Sequence, residues 1–186
     1  MNWIFFALAG SIAQLIDGTL GMGFGLTSST LLLTLGASAA VASAAVHAAE
    51  IGTTLVSGAS HWRAENIDKD VLVRLAIPGG IGALLGATFL SSIDLSTSKI
   101  FISTLLLFLG FLLLYRNLFQ TPNSQIAETS NNPRFLTFLG FSGGFVDAAG
   151  GGGWGPVVTP TLMTATNMTP RKIIGTVSAA EFIVAV

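Results

Sequence analysis

The sequence predicts an all-α fold, a polytopic transmembrane helical bundle with inverted repeats and broken helices or helical hairpins. Composition is the first reason, because 51% of the residues are hydrophobic and only 9% are charged, whereas about a quarter are charged in soluble domains. The second reason is that the apolar segments are continuous, while the strands of a membrane barrel alternate apolar and polar residues. The third is an internal repeat in which polar, glycine-rich breaks interrupt the apolar segments.

Breaks in hydropathy divide the chain into long and short apolar segments. Crossing the hydrocarbon core takes about 20 helical residues, and three segments reach that length: Ala37–Ser60, Val71–Ser91 and Lys99–Leu118. The shorter segments are Trp3–Ile16, Leu20–Leu35, Phe135–Val146, Trp154–Ala165 and Ile173–Val186. The first four of these flank the two glycine-rich breaks in pairs, and each pair is predicted to form a helical hairpin.

A polar stretch without apolar periodicity separates the two halves of the chain. It divides the sequence into a first transmembrane repeat over residues 1–119, a cytoplasmic linker over 120–134 and the start of a second transmembrane repeat over 135–186. The first repeat contains two further long segments that have no counterpart in the second. The second repeat is therefore expected to be truncated.

The repeat is centred on two similar stretches. "DGTLGMGFG", Asp17–Gly25, recurs 130 residues later as "DAAGGGGWG", Asp147–Gly155. After a shift of one residue, Glu50 recurs as Glu181 in the same way. The chain has only nine acidic residues, so two aspartates and two glutamates that stay in register indicate a duplicated element.

The positive charges predict the orientation of the repeats, because Lys and Arg favour the cytoplasmic side of a membrane. If each short pair is a hairpin that enters and leaves by one side, seven of the eight cationic side chains share a side and Lys99 alone lies opposite. The cytoplasmic loops are then Ser60–Val71, Leu118–Phe135 and Thr166–Ile173. Three crossings separate the repeats, which therefore have opposite orientations, as in transporters that build a midplane site from broken helices.

The glycine stretches each precede a helical segment, where uncovered backbone N–H groups and the helix dipole favour an anion. Close helix packing of the small-xxx-small kind is the alternative for any single glycine. Two matched clusters beside matched aspartates favour substrate binding, and Ser178, which replaces His47 in the second repeat, joins this group. The predicted substrate-binding residues are Gly21, Gly23, Gly25, Gly151, Gly152, Gly153, Gly155 and Ser178. "IPGGIGALLG", Ile77–Gly86, has no repeat partner and is interpreted as packing or a hinge.

Ionisable residues at membrane depth require a partner, water or a proton, because a charged aspartate costs about 2.5–3.5 kcal/mol on insertion scales. Asp17 and Asp147 stand where a helix N-cap would and are interpreted as loop organisers or proton sites, since a capping carboxylate competes with an anion for the same donors. His47 and Glu50 lie one helical turn apart. Together with Glu181, they are assigned to a proton or substrate pathway, and a hydrogen-bonded packing pair is the alternative. His and Glu at this spacing are weak evidence for a metal, and none is expected.

Several classes of function are excluded or disfavoured. The chain has no Cys and no Ser/His/Asp arrangement with credible spacing, so an enzyme is not predicted. The glycine stretches follow no strand, and no Lys completes a phosphate-binding loop, so no nucleotide cofactor is expected. A net charge of −1 does not favour a nucleic-acid partner.

With the repeat assembled, the chain resembles the TauE/SafE family of membrane proteins, the sulfite exporter family, also called the domain-of-unknown-function 81 transporters. The resemblance covers nearly the whole chain, although family members usually run longer. Its more specific part is the second-half block "GFSGGFVDAAGGGGWGPVVTPTLM", Gly140–Met163, followed by "RKIIGTVSAAEF". The first half carries the "GxGxG" pattern after Asp17 but departs at Leu26 and Thr30, where the second half has Pro156 and Pro160.

The resemblance implies export of a sulfite-type or organosulfur anion across the bacterial cytoplasmic (inner) membrane, driven by the proton gradient. Together with the inverted repeat, it predicts a multi-pass secondary transporter whose partners are a small anion, protons and the lipid bilayer. A passive anion channel would conduct without proton dependence, and a non-transporting scaffold would not need paired carboxylates in the membrane; both stay as alternatives. A homo-oligomer also stays open. With its second repeat truncated, the 186-residue chain alone is expected to transport poorly.

Overall fold

A computed structural model describes residues 10–11, 13–14, 17, 22–119 and 132–186 of the chain. Within them the backbone forms seven helices and no strands. The helices are α1 (Phe24–Thr34), α2 (Ala39–Arg63), α3 (Lys69–Ser92), α4 (Leu95–Phe119), α5 (Pro133–Gly150), α6 (Trp154–Ala165) and α7 (Pro170–Ala185). Three of the described helices, α2, α3 and α4, are long and apolar enough to cross a membrane, which confirms the predicted helical membrane fold.

The starts of the helices are determined by local polar side chains. Asp68 accepts hydrogen bonds from the N–H groups of Asp70 and Val71 at 3.1 Å each and so caps α3. Asn132 caps α5 in the same way, with Arg134 N–H as the donor at 3.0 Å. At the start of α4, the hydroxyl and N–H groups of Ser96 and Thr97 hold the pKa of Asp94 well below its usual range. Each side chain satisfies N–H groups that the first turn of a helix leaves without a partner.

Glycines let α3 and α5 pack with their backbones in contact. A Cβ on Gly82 would collide with the carbonyl group of Phe141, and one on Gly144 would collide with the carbonyl group of Gly79. Leu75 lies against Gly140, so the contacts advance along both helices in the same direction and the helices are parallel. The prediction that "IPGGIGALLG" serves packing is confirmed for this interface.

Trp154 joins α6 to its neighbours in the main apolar core. The ring is fully buried, its Nε1–H donates to the carbonyl oxygen of Val177 in α7 at 3.2 Å, and it lies against Gly79 of α3. Leucines at the starts of α3 and α5, Leu75 and Leu136, belong to the same core. Because one indole contacts both α3 and α7, the position of α6 depends on both helices.

The short helices α1 and α6 point in opposite directions. Leu33, near the end of α1, packs in one apolar cluster with Ile102, in the first half of α4, and with Leu90, near the end of α3. Thr161, toward the end of α6, accepts a hydrogen bond from the guanidinium of Arg116, near the end of α4, at 3.3 Å. Since α4 crosses from one side to the other, the two short helices run from the middle toward opposite faces. This is the predicted inverted repeat.

The loops that carry most of the positive charge lie at one face. Asp68, before α3, donates its N–H to Thr176 Oγ1 near the start of α7 at 2.9 Å. Leu136, in the first turn of α5, lines a small cavity with Asp68 and Arg74. The α2–α3 loop and the starts of α5 and α7 are therefore neighbours, as the grouping of seven positive charges predicted.

The end of α5 differs from the predicted segment, and the difference concerns the candidate site residue Asp147. Helix α5 continues through Asp147 to Gly150, whereas the predicted segment ended at Val146. It ends where Gly151 takes a left-handed conformation, φ 70°, and donates its N–H to the carbonyl oxygen of Asp147 at 2.6 Å, a common way for helices to terminate. The predicted segment Trp3–Ile16 lies largely outside the described residues, as does most of the linker 120–134.

The interface between α3 and α5 can be tested with two glycines of one helix. Gly82→Ala places a methyl group against the backbone of Phe141, and overpacking of this kind costs about 1–3 kcal/mol. We expect a lower midpoint of thermal unfolding in detergent. A Cβ on Gly80 meets no atom within 4 Å, so Gly80→Ala should be neutral or slightly stabilising, because Ala favours helix by about 1 kcal/mol over Gly. If both variants lowered the midpoint of thermal unfolding equally, the result would contradict the described interface between α3 and α5.

Candidate functional site

The two glycine stretches meet at the centre of the candidate site. A Cβ on Gly25 would collide with the Cα of Gly152, and a Cβ on Gly152 would collide with the backbone of Gly25 and Leu26. Gly152 also has φ 146°, which L side chains rarely adopt. The two glycine stretches are therefore in direct backbone contact.

Asp147 organises the loop between α5 and α6. Its Oδ1 accepts hydrogen bonds from the N–H groups of Gly153 and Trp154 at 2.8 and 2.9 Å, and the side chain is fully buried. Asp17 does the same for α1, where its Oδ1 accepts the N–H of Phe24 at 3.3 Å. Asp147 belongs to the last turn of α5 rather than to the N-cap position, and it caps α6 from across the loop.

Two serines of the first repeat donate to the carbonyl oxygens of this loop. Ser29 of α1 donates its hydroxyl to Gly151 O, and Ser43 of α2 donates to Ala148 O at 3.1 Å. Both serines are buried. These bonds satisfy carbonyl groups that the end of α5 leaves free, and they attach the second-repeat loop to the first repeat.

His47 lies against Asp147. Its Nε2 is 3.3 Å from Asp147 Oδ2, but the two atoms are not aligned as a hydrogen bond. On the other side of the ring, Nδ1 lies 2.8 Å from the carbonyl oxygen of Ser43. A carbonyl oxygen only accepts, so Nδ1 carries a proton and Nε2 is the ring atom that faces the aspartate.

The four duplicated carboxylates converge on this point. Glu50 interacts electrostatically with Asp147, Glu181 and Asp17, and Glu181 does so with Asp147 and Asp17. Glu50 is 3% exposed. Its Oε1 lies beside Gly25, only 2.8 Å from where a Cβ on that residue would be. All eight Lys and Arg are among the described residues and none is buried, so His47 is the only basic side chain at the cluster.

The assignment of glycine N–H groups to an anion stays a prediction. Three of the donors at the starts of α1 and α6 already bind Asp17 and Asp147, as expected if a carboxylate and an anion compete for them. Ser178 is half-buried in α7, and within the described part of the chain no hydrogen bond joins it to the cluster. Gly21 lies outside the described residues.

A cavity of about 480 Å³ adjoins the cluster. His47 and Ser43 line one wall, and small residues of α3, such as Gly80 and Ala83, line another. The described glycines of the two stretches do not line it, because they are packed against each other. Small side chains on both walls leave the imidazole accessible from this side.

Sequence reasoning missed the partners that join the repeats. It placed His47 with Glu50 and left Asp147 as a separate loop residue. His47 and Asp147 are distant in the sequence and come together only because α2 packs against the end of α5. It also missed Ser29 and Ser43, whose hydroxyls bind loop carbonyls. Buried serines on otherwise apolar helix faces are the signal that could have indicated them, since a buried hydroxyl needs a partner.

The fold and the site define a class: a multi-pass α-helical membrane protein whose inverted repeats meet at a buried, ionisable junction of two short helices. The chain belongs to the sulfite exporter TauE/SafE family, which matches residues 6–186. It is 50% identical over 184 residues to the "Probable membrane transporter protein YtnM" of Bacillus subtilis (strain 168). That alignment covers 98% of this chain and 61% of the relative. No solved structure matches the chain.

The capping role of Asp147 can be tested by comparing two substitutions. Asp147→Asn keeps an oxygen that can accept from Gly153 and Trp154, whereas Asp147→Ala leaves both N–H groups buried without a partner. Loss of a cap costs about 0.5–2 kcal/mol of stability. Because Asp147 is fully buried, we expect the loss of its cap to cost an energy near the top of that range. We expect the Ala variant to unfold at a lower temperature than the Asn variant, as followed by circular dichroism in detergent.

Asp17→Ala is the matched control in the first repeat. Asp17 is half-buried and accepts one longer bond, so its loss should cost less. If Asn and Ala at position 147 destabilise equally, the hydrogen bonds to α6 do not hold the loop.

Proposed function

We propose that the chain forms the core of a secondary transporter that exports a small anion, such as sulfite or an organosulfonate, in exchange for protons. The observation that carries the proposal is the junction itself. Two short helices of opposite orientation begin at Phe24 and Trp154 in the interior. They lie beside a cluster of carboxylates, of which Glu50 and Asp147 are buried. Broken helices at a midplane junction between inverted repeats are the usual location of substrate and coupling-ion sites in transporters.

The choice of an anion rests on the helix ends and on the family. Both short helices direct their positive N-terminal ends at the junction, and such ends attract negative charge. The family is described as sulfite exporters, and the relative's name states membrane transport without a substrate. We assign the substrate to the backbone around Gly25 and Gly151–Gly155, where it would compete with the aspartates for N–H groups.

Proton coupling follows from the charge balance of the cluster. Asp17, Glu50, Asp147 and Glu181 interact with one another, and His47 is the only basic group beside them. Four like charges at this depth cannot all persist without neutralisation, so at least some of the carboxylates bind protons. A change in their protonation that accompanies anion release would couple the two fluxes.

The positively charged face is assigned to the cytoplasm, which makes the linker 120–134 cytoplasmic. Anions would then enter from the face where α6 ends and leave toward the face where α1 ends. Entry beside Arg116 and Thr161 agrees with this direction, because a guanidinium at the mouth attracts an anion.

Proton-coupled efflux is the direct test. Proteoliposomes containing the purified protein are loaded with radiolabelled sulfite and diluted into acidic or matched-pH buffer. We expect faster efflux into the acidic buffer. Glu181→Gln should still bind sulfite but lose most of this acceleration, because glutamine cannot exchange a proton.

Glu65→Gln, which removes an exposed carboxylate in the α2–α3 loop, should leave the acceleration unchanged. Efflux that ignores pH in the unmodified protein would indicate a passive anion channel. Binding without any flux would favour a scaffold over a transporter.

A further inference from the structure

We propose that His47, Glu50 and Asp147 bind one divalent transition-metal ion, with Zn²⁺ the best match. Their ligand atoms all lie within 4.8 Å of one another, although the residues come from two different helices. In the sequence, only His47 and Glu50 lie close enough to share a metal ion, and two ligands are weak evidence for one. The fold adds Asp147 as a third ligand.

Each of the three side chains has one polar atom that lacks a hydrogen-bond partner. His47 Nε2, Glu50 Oε2 and Asp147 Oδ2 are buried without a hydrogen-bond partner, and Glu50 and Asp147 are 3% and 0% exposed. Buried polar atoms without a partner are rare in folded proteins and require an explanation, such as an ion. Three of the five such atoms among the described residues belong to these three side chains, which already lie together.

The opposite atoms of two of these side chains are held by the backbone. His47 Nδ1 donates to the carbonyl oxygen of Ser43 at 2.8 Å, which leaves the Nε2 lone pair free for a metal. Asp147 Oδ1 accepts the N–H groups of Gly153 and Trp154, which leaves Oδ2 free. Support of this kind orients ligands at natural metal sites and selects the tautomer of the histidine.

The spacing and the donor atoms indicate the kind of ion. His47 Nε2 and Asp147 Oδ2 are 3.3 Å apart, which suits two ligands at about 2.0–2.2 Å from one tetrahedral Zn²⁺. The three-residue set lies within 4.8 Å, so the Glu50 side chain moves toward the ion when the ion binds. One imidazole and two carboxylates fit Zn²⁺ better than Mg²⁺ or Ca²⁺, which prefer oxygen alone. Three protein ligands leave a fourth position, which an oxygen of a bound anion could fill.

The charge of the cluster also favours a cation. Asp17 and Glu181 interact with the same carboxylates, so a divalent ion would replace repulsion with attraction among these groups. This inference goes beyond the proposed function, because the ion would hold His47, Glu50 and Asp147 and leave Asp17 and Glu181 to exchange protons.

The test measures metal binding to the purified 186-residue chain, which has no Cys to bind metal elsewhere. After chelator treatment and removal of the chelator, the chain is loaded with Zn²⁺ and its metal content is measured by mass spectrometry. We expect one Zn²⁺ per chain. Co²⁺ in its place should give the intense visible absorption of a tetrahedral site. A chain that retains no Zn²⁺ and gives only the weak spectrum of hydrated Co²⁺ would overturn the proposal.

Substitutions locate the ion. His47→Gln and Glu50→Gln should each weaken Zn²⁺ binding by more than the about 10–100-fold expected for loss of a supporting partner. His61→Gln is the matched control, because His61 lies on the same helix at its outer end and should not change the affinity. Unchanged affinity in His47→Gln, or equal loss in His61→Gln, would overturn the site. Sulfite efflux that persists in the metal-free protein would remove the ion from the mechanism and leave the proposed transport intact.

Discussion

The backbones of Gly25 and Gly152 are in direct contact, and this contact determines how the two halves of the protein pack together. A side chain at either position would separate the two repeats. Because the contact lies at the starts of α1 and α6, it brings two helix N-termini to one point in the interior. His47 and Glu50 lie on α2, Asp147 on α5 and Glu181 on α7, so these helices place the side chains of the cluster around the contact.

The electrostatics of the junction follow from this geometry. Two helix N-termini contribute roughly half a positive charge each, and Asp17 and Asp147 bind them through their N–H groups. Glu50 and Glu181 add charge that the helix ends cannot balance. The remaining charge must be met by His47, by protons or by a bound cation. In a membrane, where water does not reach the backbone, a site of this kind must be built from helix ends.

The sequence predicted much of the fold because its signals are local or periodic. Hydropathy located the long helices, and the bounds of Trp154–Ala165 agree with α6. The duplicated aspartates and glycines predicted a repeat, and the distribution of the positive charges predicted that its two copies have opposite orientations. The continuation of α5 through Asp147 was missed, since hydropathy falls at an ionisable residue whether or not the helix ends there.

The contacts within the site could be predicted only in part. His47 and Glu50 are neighbours by helical spacing, but Asp147 joins them only because α2 packs against the end of α5. The hydroxyls of Ser29 and Ser43 bind carbonyl groups of a distant loop, and nothing in their local sequence identifies those partners. Such pairs form only through tertiary packing. That packing depends on the glycines at which helix backbones come into contact.

Disulfide cross-linking at the junction tests the central claim most directly. A Cβ on Gly155 would lie 3.2 Å from the Cβ of Met22, close to the about 3.5–4.5 Å of a disulfide, and the chain has no native Cys. We expect Met22→Cys with Gly155→Cys to form a disulfide within one chain under mild oxidation, detected by mass spectrometry of the digested protein. Met22→Cys with Thr164→Cys, at the far end of α6, should stay reduced. If the first pair stays reduced, or if both pairs react equally, the starts of the two short helices do not meet at the contact between Gly25 and Gly152.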